Sequence, residues 1–128
     1  MTRDEILNMK AGREMDVLVA KKVFGWKLVK NKGEAGGSFW TGHGGVFGDM
    51  HKSQTPEYST DIFASWEVIQ KMHEMKYRYA LRGHFRGSDL HIAEFDDQDW
   101  ADSNPLYNAI ADTTPLAICR AALLAVMK

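Results

Sequence analysis

The stretch Tyr58-Ser-Thr-Asp-Ile-Phe-Ala-Ser-Trp-Glu-Val-Ile-Gln-Lys-Met72 constrains the fold more than any other part of this chain. Ser59 or Thr60 can cap a helix, because a side-chain oxygen accepts from a backbone N–H that has no partner in the first turn. Asp61 adds negative charge where the helix dipole favours it. Ile62, Trp66, Ile69 and Met72 recur at helical spacing and Phe63 widens the stripe, which predicts one buried face. Pro56 marks the end of the loop that leads in.

Around that element, the sequence predicts one domain over residues 1–128, long enough to bury a core without disulfides or a structural metal. A content of 45% hydrophobic and 26% charged residues is that of a globular protein. The net charge of −1 argues against a coat for nucleic-acid polymers. Cys119 is the single cysteine, so no intrachain disulfide can form, in keeping with a reducing cytosol. The polar start Met-Thr-Arg-Asp-Glu lacks the apolar core of an export signal, and no apolar run reaches the length of a membrane span. A cytosolic protein without membrane contact is the expectation.

Further helices bracket the central one. Thr2-Arg-Asp-Glu5 fits a capping box, predicting a short helix over about residues 3 to 9. Residues 13–24 form an amphipathic pattern with Met15, Leu18, Val19 and Val23 on one face, and Gly25 is a plausible stop. Thr113 or Thr114 can cap Pro115 to Met127, which is apolar almost all round and should be largely buried. Arg120 interrupts it and requires a carboxylate, a row of carbonyls, a subunit partner or a ligand anion. A salt bridge to Asp16 or Asp61 is the simplest solution.

Strand patterns fill the rest. Tyr77, Tyr79 and Leu81 alternate with Arg78, Ala80 and Arg82, the period of a half-buried strand. Gly83 to Gly87 can turn the chain into a second strand at Leu90 to Phe95, with a third at Leu106 to Ala111. The fold class is therefore α+β, a small antiparallel sheet packed between helices. Basic residues gather at 71–86 and acidic ones at 88–112, so Arg78, Arg82 and Arg86 either pair with carboxylates across strands or hold an anionic ligand. From about 26 to 56 the chain carries Gly33, Gly36, Gly37, Gly42, Gly44, Gly45 and Gly48 among Phe39, Trp40 and Phe47. Such a run disfavours helix and reads as a loop or loose hairpin, with short strands at Lys27–Lys30 and Ser38–Thr41. It is either a packed surface loop or a binding loop.

Chemical motifs are sparse. No zinc-finger spacing, nucleotide-binding glycine loop or nucleophile elbow occurs. His43, Asp49 and His51 could converge on a metal, although such spacing recurs by chance, so no metal or cofactor is assigned. Tyr58, Ser59 and Thr60 set an aromatic ring and two hydroxyls at a helix start, where a phosphate or sugar could bind or plain capping could suffice.

Ala11-Gly-Arg-Glu-Met-Asp-Val-Leu-Val-Ala20 with Val23-Phe-Gly-Trp26, then Tyr58-Ser-Thr-Asp-Ile62 with Trp66-Glu-Val68, then Pro115-Leu-Ala-Ile-Cys-Arg-Ala-Ala-Leu-Leu124, together resemble the phage ABA sandwich domain proteins. The chain departs from that resemblance between Trp26 and Pro56, where the glycine-rich stretch is longer. The resemblance implies a phage origin and a small sheet packed between helices, and carries no activity or catalytic residues. Many small phage proteins block host defences without catalysis, some by binding cyclic nucleotide signals. The leading expectation is a non-enzymatic, homo-oligomeric sponge in the host cytoplasm that sequesters a nucleotide-derived signal. Trp40 and Tyr58 would stack on a base, and Ser59, Thr60, Arg82 and Arg86 would hold phosphate or ribose, with His43 and Arg120 as further ligand-binding candidates. The alternatives are a protein–protein inhibitor anchored by Phe39, Trp40 and Phe47, and a metal-dependent phosphoesterase built on His43, Asp49 and His51.

Overall fold

A computed structural model describes residues 1–31, 37–43, 49–52, 55–83, 89–97 and 106–127. Among them are four helices and two three-stranded antiparallel sheets, so the α+β class holds. Helix α1 spans Arg3–Asn8, and the Thr2 hydroxyl accepts from the Glu5 N–H at 3.2 Å, the cap its sequence specifies. Helix α2 spans Arg13–Lys22, two residues shorter than the amphipathic pattern. Gly25 adopts a left-handed φ of 69°, and the following Trp26 N–H returns to the Ala20 carbonyl at 3.0 Å. That turn ends the helix and swings Trp26 back onto the core.

The described residues of the glycine-rich region form a three-stranded sheet. Strands β1 (Lys27–Asn31), β2 (Gly37–His43) and β3 (Asp49–Lys52) run in that order. The β1–β2 hairpin was legible in the sequence; β3 was not. At Gly42 an added Cβ would lie 2.7 Å from Cδ2 of Trp26, so the bare backbone of β2 is what lets this ring lie against the sheet. Trp26 belongs to the main apolar cluster and ties β2 to it.

Helix α3 (Ile62–Glu74) is capped by Asp61, whose Oδ1 accepts from the Phe63 N–H at 3.0 Å. Neither Ser59 nor Thr60 fills that role. The buried face is Ser65, Val68, Ile69 and Met72. Ile62, Phe63 and Trp66, expected inside, lie at its exposed flank. Ser65 explains the rotation: its hydroxyl turns back onto the Ile62 carbonyl at 2.9 Å, so a small, satisfied side chain can occupy the interior face. Met75 and Lys76 then reverse the chain, with Lys76 at a φ of 72°.

Strands β4 (Tyr77–Gly83), β5 (His91–Asp97) and β6 (Leu106–Ala111) form the second sheet in the order β4-β5-β6. Its register pairs Tyr79 with Phe95 and Phe95 with Tyr107, and Leu81 with Ala93 and Ala93 with Ala109. Phe95, Ala93 and Ala109 are buried, which marks this as the inward row. Arg78, Ala80 and Arg82 belong to the opposite, outer row.

Helix α4 (Thr114–Val126) is the true centre. It packs against β5 and β6 on one side and against α1, α2 and α3 elsewhere. Residues from Leu116 to Ala125 are buried apart from Arg120, as a helix apolar all round demands. Full burial of a Leu or Ile side chain contributes about 1.5–3 kcal/mol, so Ile118 and Leu123, both at 0% exposure, are major contributors to the core. Among the described residues no helix is long and apolar enough to cross a membrane.

Candidate functional site

Tyr58 and Ser59 sit in the short turn that precedes α3, and the structure spends both on packing. Tyr58 is 1% exposed and stacks on Phe24 with ring centroids 4.9 Å apart. Burial pushes its hydroxyl pKa up, with Glu67 adding to the effect. In this conformation the ring has no face left for a base. Ser59 is fully buried: its N–H and its hydroxyl donate to Oδ1 of Asp16 at 2.8 and 2.6 Å, and its oxygen accepts from the Gly12 N–H at 2.9 Å. It joins the turn to the start of α2. Thr60, next in sequence, is exposed.

Arg120 finds carbonyls rather than a carboxylate. Its Nε and Nη2 donate to the Met9 carbonyl at 3.2 and 2.8 Å, and Nη1 donates to the Ile110 carbonyl at 2.9 Å. The salt bridge expected with Asp16 or Asp61 does not form, because Asp16 is committed to Ser59 and Asp61 to its helix cap. Met9 is the C-cap of α1, where carbonyls lack intrahelical partners. Ile110 lies on β6, an edge strand of its sheet. Burial lowers the Arg120 pKa, opposed by the negative charge of Asp112. Arg120 is a clamp between α1 and β6.

Arg82 is different. It lies on the outer row of β4 with its side chain 56% exposed, and its Nη2 meets Oε2 of Glu94 at 3.2 Å. Arg78 meets Oδ2 of Asp96 at 2.6 Å on the same row. The cross-strand pairing of basic and acidic segments is thus realised, directly at Arg78 and diagonally at Arg82. Partly exposed pairs of this kind contribute up to about 1 kcal/mol each. A guanidinium carries five N–H donors, so one carboxylate contact among the described residues leaves Arg82 with capacity for an anion.

The other candidates fall on the first sheet or outside the described residues. Trp40 pairs with Leu28 and Lys52, and His43 pairs with Asp49, while His51 stands opposite Thr41. This register brings His43, Asp49 and His51 onto adjacent positions of one hairpin; their side chains lie outside the described part of the structure. Arg86 lies outside the described residues, as does Phe47. Among the described residues no cluster of His, Cys, Asp and Glu could hold a metal ion. A depression of about 550 Å³ lined in part by Asn8, Lys10, Gly12 and Arg13 includes none of the candidates.

Sequence reasoning missed an exposed aromatic surface. Phe63 is 82% exposed, and Trp66 meets Tyr79 edge-on at 5.9 Å with both rings open to solvent. Their helical and strand spacing read as core, and only the packing of α3 against α4 shows otherwise.

No curated protein and no solved structure matches the chain. The family model for the phage ABA sandwich domain matches residues 17–123, from within α2 to near the end of α4, and the chain therefore belongs to the phage ABA sandwich domain family.

Proposed function

We propose that this protein binds an anionic, nucleotide-derived signal of the host cell and sequesters it without cleavage, acting in the host cytoplasm as an anti-defence sponge. The observation that carries the reading is Arg82: a cation on the outer sheet row, 56% exposed at its side chain, with one carboxylate contact. Charge-assisted bonds from a guanidinium suit phosphate oxygens. Thr60, exposed just before α3, is a further candidate, on the helix layer that meets the inward row of this sheet. Arg86 follows Gly83 in sequence, and Trp40 and His43 are the remaining ligand candidates, on the first sheet. Tyr58, Ser59 and Arg120 are engaged with Phe24, with Asp16 and with the Met9 and Ile110 carbonyls.

The test is the mass of any small molecule released by heat from protein purified out of infected cells. An intact nucleotide, absent from a parallel preparation of Arg82→Gln, supports sequestration. Loss of one charge-assisted bond, at about 1.5–3 kcal/mol, predicts binding weakened by roughly tenfold to a hundredfold. Retention of full affinity by Arg82→Gln would remove the reading's main support.

A further inference from the structure

The inward row of the second sheet is covered unevenly. Phe95 and Ala93 are fully buried, whereas their β4 register partners Tyr79 and Leu81 are 44% and 37% exposed. Contact between Trp66 and Tyr79 sets one flank of α3 beside the same strand. On that flank Ile62 is 47%, Phe63 82% and Trp66 43% exposed. Large side chains of this kind bury about 150–250 Å² each when aromatic, so the group presents roughly 500 Å² of apolar surface. That is the size of the largest apolar patch on a typical monomer, about 300–600 Å², which is often a functional surface. Among the described residues β4 pairs only with β5, so the patch follows a sheet edge.

We propose that this edge is a homodimer seam, in which the β4 strands of two copies pair antiparallel about a two-fold axis at Ala80. Sheet geometry selects the arrangement. A two-fold axis relating two edge-paired strands stands perpendicular to the sheet, which keeps both inward rows on one side and pairs residues of equal parity. Ala80 is the midpoint of Tyr77–Gly83, so centring there gives the longest overlap. Tyr79 then faces Leu81 of the second copy, an aromatic–aliphatic cross-strand pair. Tyr77 faces Gly83 of the second copy, where no side chain obstructs the ring.

On the outer row Arg78 falls opposite Arg82 of the second copy, a like-charge pair that by itself opposes association. Within each chain, Asp96 at 2.6 Å and Glu94 at 3.2 Å draw these guanidiniums toward β5. Each guanidinium at the seam is thus balanced by a carboxylate of its own chain, Arg78 by its register partner Asp96 and Arg82 diagonally by Glu94. The Tyr79–Leu81 and Tyr77–Gly83 pairings, each made twice by the two-fold, favour a second copy over an unrelated strand. Roughly 500 Å² of apolar side chain plus the strand backbone approaches the ~800 Å² per partner of a standard interface. The seam shares Arg82 with the nucleotide reading but is argued from the apolar row, and its test reads association rather than ligand binding.

Sedimentation velocity and site-directed crosslinking test it on the full chain. The expected result is a species of twice the 14.5 kDa chain mass, converted to monomer by Leu81→Lys at unchanged far-UV circular dichroism. Ala80→Cys should crosslink to itself on oxidation, because the two-fold sets it opposite its own copy. Ile110→Cys, 51% exposed on β6, should not. A monomer at every concentration overturns the proposal and leaves the edge to some other strand. A dimer that crosslinks through Ile110→Cys, or that Leu81→Lys leaves intact, overturns it equally.

Discussion

Ser59 closes its backbone N–H and its hydroxyl onto one oxygen of Asp16, 43 residues earlier in the chain, at 2.8 and 2.6 Å. The contact joins α2 to the turn before α3, and it places a carboxylate where burial outweighs hydrogen bonding. Desolvation raises the Asp16 pKa; the Ser59 bonds lower it but do not cancel the burial effect, and Glu57 adds to the rise.

A raised carboxylate pKa sets the sign of a pH dependence. The unfolded chain releases this proton near the ordinary Asp value of about 3.9, and the folded chain releases it at higher pH. Between those values the folded state holds more protons, so stability falls as pH rises through the window. Asp16→Asn keeps an oxygen for both Ser59 donors and removes the charge. It should be at least as stable as the parent at neutral pH, with that segment of the pH profile flattened. Asp16→Ala should cost about 1–3 kcal/mol, because it strands buried donors. Urea titrations across mildly acidic to neutral pH check both outcomes.

Arg120→Lys should destabilise the fold although it retains the charge. A lysine cannot reproduce the fork that reaches Met9 and Ile110 together. With the side chain only partly buried, we expect about 1–2 kcal/mol, at the lower end for bonds to charged groups. Amide hydrogen exchange should rise first in α1, whose C-terminal carbonyl loses its partner.

Gly42→Ala should displace Trp26. An added methyl 2.7 Å from Cδ2 and 2.8 Å from Cε3 of the ring leaves no room without movement. Overpacking of this kind costs about 1–3 kcal/mol. A red shift of tryptophan emission at unchanged helix content would report it.

Lys76 holds a left-handed φ of 72° in the reversal between α3 and β4. A non-glycine residue there costs about 1–2 kcal/mol, partly offset by the greater unfolded freedom of glycine. Lys76→Gly is expected to raise stability by roughly 0.5–1 kcal/mol, read as a rise in Tm.

Short-range signals in this sequence specify local structure, whereas long-range contacts leave no such signal. The Thr2 cap, the β1–β2 hairpin and the β4–β5–β6 strands follow from short-range patterns and match the structure. The spacing of Phe63 and Trp66 predicts core, whereas the packed helix turns Ser65 inward and leaves both rings on the exposed flank. Only the neighbours of a helix decide which flank is covered. The same limit applies to the candidate site residues. Tyr58 and Ser59 combine ligand-like groups, but their partners Phe24 and Asp16 come from another helix region and no spacing announces them. The apolar run of α4 signalled burial without revealing that this helix, rather than α3, is the centre.

Sequestration of a nucleotide-derived signal is open to a direct thermal-shift screen. Cyclic dinucleotides, cyclic trinucleotides and cyclic ADP-ribose isomers are each added, and the ligand is recovered and chromatographed. Ligand at a hundredfold above Kd should stabilise the fold by about 2.7 kcal/mol. A sequestering protein should show a large Tm rise with one class of ligand, recovered unchanged, and a smaller rise in Arg82→Gln. A flat screen, or a ligand recovered as a cleaved product, contradicts it.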